Sequence, residues 1–543
     1  MCKKLVALML AVIMCMTLLI GCQSSKESGK SESQSTAVTE ASTVDSGNTA
    51  LAAPEKVRVE MFDRNSAPEG QGTAIENKWT EYIKERALAE ANLDVEFVAC
   101  PRAEEVTKLN VWMASSSAPD ISYTYDFNVL YGYADQGGIH DLTDLINDPD
   151  LKVKEYFESA LPWGIYKGRQ YAIPSVQPDF GGNTSLYVRQ DWLDKLGMAQ
   201  PTTPDELYEM LKAFKTKDPG GVGAGNVVPF ALPAPGVTGT QGFYLDILLM
   251  FGVEFDGPYI PCMPTGNYEN GVFKSPVDNQ YAKNAYAFLN KLYQEGLIHA
   301  EFITDINGSK YDQHVFSGFA GLVDVNPQVP GNAKTLNVET QKAVADAYWK
   351  PIKPIANPNG EILMQGPRKG GLLLFIPKST KNPEAALKYM VWMRESGIDK
   401  ELKIGQEGVH YNIVDGAIVY PDQAAYTKDI GWVGGDLGIT SADLWTTTDM
   451  LKKKYPGQEG EDYYQLMEWS KEYGKAYEVI TEPRPNTLKN ATTLKDYMFE
   501  GAAKVIVAKD FEKEYENYVS GWNKLGGDAY DAEITSALKA MGK

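Results

Sequence analysis

The sequence predicts an α/β protein in two lobes with a helical C-terminal part. Three observations predict it. The chain has 543 residues, more than one hydrophobic core usually organises. From about residue 55 onward, strand-like alternation and helix-like periodicity take turns. Beyond about residue 440, amphipathic helix prevails.

The N-terminus sets the compartment. Lys3 and Lys4 precede an apolar run over residues 5–20, too short to span a bilayer comfortably and suited to a signal-peptide core. It ends in Leu19-Ile20-Gly21-Cys22, which resembles the bacterial lipobox, where cleavage frees a Cys for lipid attachment. Residues 1–21 are therefore expected to be a lipoprotein signal peptide, with Cys22 as the lipidated residue and the extracellular face of the cell membrane, Gram-positive type, as the location. Residues 22–54 are rich in Ser, Thr, Glu, Lys and Gly, which favours a flexible tether.

The folded part opens with Val57, Val59 and Met61 alternating with Arg58 and Glu60. A helical stretch over residues 74–91 follows, then Leu93, Val95 and Phe97 alternating with Asp94 and Glu96. Strand, helix and strand in that order imply a parallel pair with a right-handed crossover. After Pro201, Thr203 is placed to cap a helix with Pro204 at its first position and Glu206 completing a capping box. Leu207, Met210, Leu211 and Phe214 then recur at helical spacing. A strand over residues 372–376 leads to a helix opened by Asn382-Pro383-Glu384, and helices are expected over 494–508 and 511–525.

Composition narrows the function. The formal net charge of −20 is spread along the chain, a field that repels nucleic acid and anionic headgroups. Four histidines show no metal spacing, and Cys100 and Cys262 have no neighbouring Cys or His, so no metal or other cofactor is expected. Those two cysteines could pair outside the cytoplasm or stay as buried thiols; spacing alone does not decide. No Gly-x-Ser-x-Gly elbow, phosphate-binding loop or His-Glu-x-x-His helix is present. A pair of glycosidase carboxylates has no sequence signature to find.

Three passages stand out: Ala114-Ser115-Ser116-Ser117-Ala118-Pro119-Asp120-Ile121, Tyr187-Val188-Arg189-Gln190-Asp191-Trp192-Leu193-Asp194-Lys195-Leu196-Gly197, and Gly405-Gln406-Glu407-Gly408-Val409-His410-Tyr411 with Asp415-Gly416. Together they resemble the family 1 extracellular solute-binding proteins of ABC importers, more narrowly the large lipoproteins of the LplA type. The resemblance implies a two-lobed periplasmic-binding-protein-like fold of type II, closing on ligand by a hinge. Residues 55–188 plus 350–380 are expected to form the N-terminal lobe and 189–349 plus 381–543 the C-terminal lobe. Chain crossings are expected near Tyr187 to Asp191, Trp349 and Lys378. It also implies a monomeric, non-enzymatic receptor that passes an oligosaccharide to permease subunits. A receptor for a peptide or other small solute is the alternative, and an adhesin or carbohydrate-active enzyme a more distant one.

Sugars present apolar ring faces rimmed by hydroxyls, so aromatic and polar residues just beyond strand ends are the candidates. They are Arg64, Asn65, Tyr125, Asp126, Asp324, Glu407, His410, Tyr411 and Trp432, with a structural role as the other reading of His410. Some relatives carry a calcium loop of the form D-P-N-G-N-G-K-A-D-E-I-P-F. Here Asp218-Pro219-Gly220-Gly221-Val222-Gly223-Ala224-Gly225-Asn226-Val227-Val228-Pro229-Phe230 keeps its length with few oxygen ligands, so no calcium is expected.

Overall fold

The computed structural model describes residues 53–177, 185–234, 244–257, 265–305, 308–325, 330–367, 370–441, 457–482 and 484–543. The signal segment, Cys22 and the rest of the tether up to residue 52, and Cys262 lie outside these residues. The chain from Ala53 to Lys543 forms one compact unit built on two large hydrophobic cores.

The first core gathers around β1 (Glu55–Asp63), α1 (Lys78–Ala91) and β2 (Leu93–Pro101), followed by α2 (Glu105–Ala114), β3 (Ser122–Thr124), α3 (Phe127–Asp135) and β4 (Ile173–Val176). Strands β1 and β2 pair in parallel, Val57 against Val95 and Val59 against Phe97, as the strand–helix–strand pattern predicts. Helix α1 starts at Lys78, later than expected. Asn77 accepts from the Trp79 and Thr80 amides and Thr80 reciprocates, so the cap fixes the start.

The second core begins with β5 (Ser185–Arg189), then α4 (Pro204–Lys217), β6 (Val228–Ala231), α5 (Leu245–Met250), α6 (Gln280–Gln294), β7 (Ala320–Val325) and β8 (Trp349–Pro351). Its sheet runs β8-β5-β7-β6, with β7 parallel to β6 and antiparallel to β5. On α4, Leu207, Met210, Leu211 and Phe214 are all buried, each such side chain contributing roughly 1.5–3 kcal/mol. Thr203 does cap α4, its Oγ accepting from the Glu206 amide. Glu206, however, accepts from the amide and hydroxyl of Thr202, so the box closes one residue early.

The chain then returns. Strand β9 (Gly370–Phe375) lies between β3 and β4, antiparallel to both, and α7 (Pro383–Glu395) and α8 (Ile398–Ile404) complete the first core. Helices α9 (Pro485–Val507), α10 (Phe511–Lys524) and α11 (Gly527–Ala540) close the second core. Helix α9 begins nine residues earlier than the periodicity suggests, because Pro485 sits at its first turn.

This packing corrects the expected lobe boundaries. Residues 383–439, placed with the C-terminal lobe by sequence, bury Leu387, Tyr389, Met390 and Met393 in the first core. The expected crossings shift as well. Tyr187 lies inside β5, Trp349 opens β8, and Lys378 donates its amide to Gly138 within the first lobe. Strands β5 and β8 pair with each other, which holds both in the second sheet.

Candidate functional site

A cavity of about 320 Å³ opens between the two cores. That volume sits at the small end of the range for small-molecule sites, roughly 300–1,000 Å³. A larger depression of about 790 Å³ is lined by α6 and α10 residues alone, such as Lys283 and Tyr515. Of these two, the first draws residues from both lobes, and that is the geometry a closing receptor needs.

The first lobe supplies one wall from the ends of its strands. β2 runs into Arg102, and β3 runs into Tyr125 and Asp126. The Arg102 guanidinium bonds to Glu105 and lies 4.7 Å from the Phe62 ring centroid and 5.3 Å from that of Tyr125. Tyr125 in turn stacks on Phe62 at 6.3 Å and keeps an exposed ring. Asp126 caps α3, accepting from the Asn128 amide at 2.8 Å. Deeper in, Tyr131 stacks on Tyr166 at 4.2 Å, and Trp163 packs beside Phe127. Burial raises the carboxyl pKa of Glu105 above its ordinary value, and burial pushes the Tyr131 phenol up to about 12.

The second lobe supplies the opposite wall, including Arg484, Lys495, Trp522 and Tyr530. Two donors there stand buried without an acceptor: the Trp522 indole N–H and the Arg484 Nε–H. Unmet buried donors are costly, on the order of 1–3 kcal/mol each; both atoms lie beneath the cavity surface, Trp522 Nε1 against Gly527.

Of the nine residues named from sequence, the structure brings Tyr125 and Asp126 to this cavity. Arg64 is engaged elsewhere, in a two-pronged pair with Asp436 at 2.7 and 2.8 Å. Asn65 holds a left-handed turn at φ 53°, its amide donating to Asp63. Asp324 is fully buried in β7, where desolvation, with the Asp246 charge adding to it, raises its pKa well above the ordinary value. In the 405–411 loop Glu407 is exposed and Tyr411 is buried against Tyr420. His410 Nδ1 accepts from the Gln406 amide at 2.9 Å, which leaves the ring proton on Nε2 facing Asp429 at 3.1 Å. That is the structural reading of His410. Trp432, half-buried against the first core, donates to the Asp429 carbonyl. None of these seven lines the cavity.

The residues that sequence reasoning missed carried weak signals. Trp163 follows Pro162 in a short turn, and Arg484 stands between Pro483 and Pro485, a rigid presentation readable in principle. Trp522 and Tyr530 look like any amphipathic-helix aromatics.

The 218–230 loop does not fit calcium. Both Asp218 oxygens accept backbone amides, from Val222 at 3.0 Å and Gly223 at 2.8 Å, and Asn226 donates to the Val222 carbonyl. A Cβ on Gly220 would lie 2.6 Å from the Trp192 ring, so the indole takes the space a ligand side chain would need. Among the described residues, no cluster of three His, Cys, Asp or Glu is suited to a metal, and no helix is long and apolar enough to cross a membrane.

Residues 70–399 match the family model of the bacterial extracellular solute-binding protein. The chain belongs to that family. It is 24% identical to Lipoprotein LipO of Bacillus subtilis over 457 residues, which is 78% of this chain and 81% of the relative. It is 27% identical to the fructooligosaccharide ABC transporter substrate-binding protein FusA of Streptococcus pneumoniae over 315 residues, 53% of this chain and 54% of that one. Among solved structures, an HMO-binding, ABC-transporter-associated solute-binding protein of Bifidobacterium longum infantis superposes with a TM-score of 0.66 at 20% identity, covering 89% of this chain and 98% of that one. FusA with kestose gives 0.65 at 18% identity, covering 90% and 99%. The fold is therefore that of the two-lobed solute-binding proteins.

Proposed function

We propose that this protein is a lipid-anchored receptor that takes an oligosaccharide into the interlobe cavity and hands it to an ABC permease. The observation that carries this reading is the cavity itself: aromatic rings on both walls, with the polar side chains of Arg102, Asp126, Arg484 and Lys495 among them. Stacking faces beside hydrogen-bonding side chains suit sugar rings and their hydroxyls. The names of FusA and of the polygalacturonan/rhamnogalacturonan-binding protein YtcQ, 24% identical over 475 residues, support a carbohydrate. The lipobox-like Cys22 and the lipoprotein relative LipO support the anchor.

A non-catalytic role is supported by what the lining carboxylates already do. Glu105 is paired with Arg102, Asp126 caps a helix, and Glu478 is paired with Lys543. None stands free as an acid or base toward a glycosidic bond.

The test is a thermal-shift and calorimetric screen across oligosaccharides and peptides. Oligosaccharide alone should raise the melting temperature, since ligand that binds only the native state stabilises by mass action. Tyr125→Ala should weaken binding by about 1–3 kcal/mol while leaving the fold intact. Stabilisation by peptides alone, or hydrolysis products from any bound saccharide, would overturn the reading.

A further inference from the structure

The chain carries a net charge of −20, yet the charged residues that line the cavity balance, three cations against three carboxylates. Its lining holds Arg102, Arg484 and Lys495 against Glu105, Asp126 and Glu478. Each carboxylate is engaged within the protein, by Arg102, by the start of α3 and by Lys543 in turn. Arg102 is consumed by Glu105. Arg484 and Lys495 form no ion pair with any described residue.

Arg484 is the more telling of the two. It is 3% exposed, its guanidinium lies 5.6 Å from the Tyr131 ring centroid and bonds to the Tyr131 hydroxyl, and its Nε–H has no acceptor. A buried cation without a counter-charge is costly to hold, which a surface arginine would not be. Its backbone is fixed as well: Arg484 precedes Pro485 at φ −136° and ψ 66°, and Pro483 stands on its other side. The amides of the α9 N-terminus are not the anion site, because Glu533 already accepts from Asn486 and Thr487 there. The position left for a negative group is the guanidinium.

We infer that the cavity is built for an acidic saccharide, with a ring carboxylate held by Arg484. The inference rests on the carbohydrate reading above and names the class of sugar. A planar guanidinium matches a carboxylate through paired N–H donors, and the Trp522 and Tyr530 rings line the same wall for the sugar face. Lys495 lies eleven residues along α9, about three turns and roughly 16 Å further on, so it returns to the same helix face. It adds a second positive charge at the exposed end of the wall, favouring a chain with more than one carboxylate.

The experiment is calorimetry with trimers of galacturonate, glucuronate and mannuronate, their methyl esters, and a neutral trisaccharide. At least one acid trimer should bind ten-fold or more tighter than its ester, with an affinity that falls as salt rises. Arg484→Gln should erase that preference, weakening acid binding ten-fold or more beyond any loss for the neutral trisaccharide, and Arg484→Lys should restore part of it. If Arg484→Gln fails to fold, Lys495→Gln on the exposed stretch of α9 should still cut acid affinity about two- to three-fold and flatten its salt dependence. Esters and neutral sugars binding as tightly as the acids would overturn this inference and leave the carbohydrate reading standing. Binding of peptides with no saccharide of either kind would overturn both.

Discussion

Glu60 shows how much one side chain can carry. It sits on β1 with 1% of its surface exposed, and one carboxylate oxygen accepts the Tyr123 amide at 3.0 Å while the other has no partner. Burial, offset in part by that amide and by the Cys100 thiol, pushes its pKa up to about 8 from 4.5. The folded protein therefore holds this proton where the unfolded chain has lost it. The resulting stability is complete below about pH 4.5 and is lost as pH rises toward 8. Glu60→Gln, a neutral isostere that keeps the acceptor, should raise the melting temperature at pH 8 and change it little at pH 4. The difference should be on the order of a few kcal/mol. A melting curve as pH-dependent in the variant as in the parent would remove Glu60 as the cause. In the sequence Glu60 reads as the polar face of a half-buried strand, because alternation registers polarity and cannot show that β3 and α2 cover that face too. His410 marks the same limit. Its motif was visible, but only the geometry shows both ring nitrogens occupied, at 2.9 and 3.1 Å, by Gln406 and Asp429.

At the level of elements, local chemistry was legible wherever it decided the outcome. The four apolar positions of α4, the Thr203 cap and the parallel β1–β2 pair all stand as the residues suggest. What failed was the assignment of α7 and α8 to a lobe, since an amphipathic stripe says that a helix packs without saying against what. The loop after α4 allows an element-scale prediction. Asp218 spends both oxygens on the Val222 and Gly223 amides, so the turn is held by its own backbone. Millimolar calcium against chelator should leave the melting temperature unchanged. Asp218→Ala should cost about 1–2 kcal/mol in either buffer, the loss of charge-assisted hydrogen bonds at a helix end. A calcium-dependent shift that Asp218→Ala abolishes would show that the loop recruits ligands from beyond this set.

On the scale of the whole molecule, the two lobes are joined by more than chain crossings. Trp163 of the first lobe is buried in a small cluster with Leu245, Leu249, Phe255, Leu363 and Tyr477, so one apolar contact ties the lobes at the edge of the cavity. This contact was not legible in the sequence, because Trp163 and Phe255 lie far apart along the chain and each reads as ordinary core. It gives Trp163 two roles, lining the cavity and bridging the cores. Removing the ring should therefore act on shape as well as on affinity. Trp163→Ala should expand the ligand-free protein in small-angle scattering, and saturating saccharide should compact the variant more than it compacts the parent, since more of the closure is left to be driven by ligand. The variant's affinity should fall by about 1–3 kcal/mol, part of it the cost of that extra closure. Tyr125→Ala supplies the control, because Tyr125 lines the cavity without belonging to the bridging cluster: it should weaken binding with no change in the ligand-free dimensions. Equal dimensions for the two variants would confine Trp163 to the binding wall and assign lobe contact to the remaining residues of the cluster.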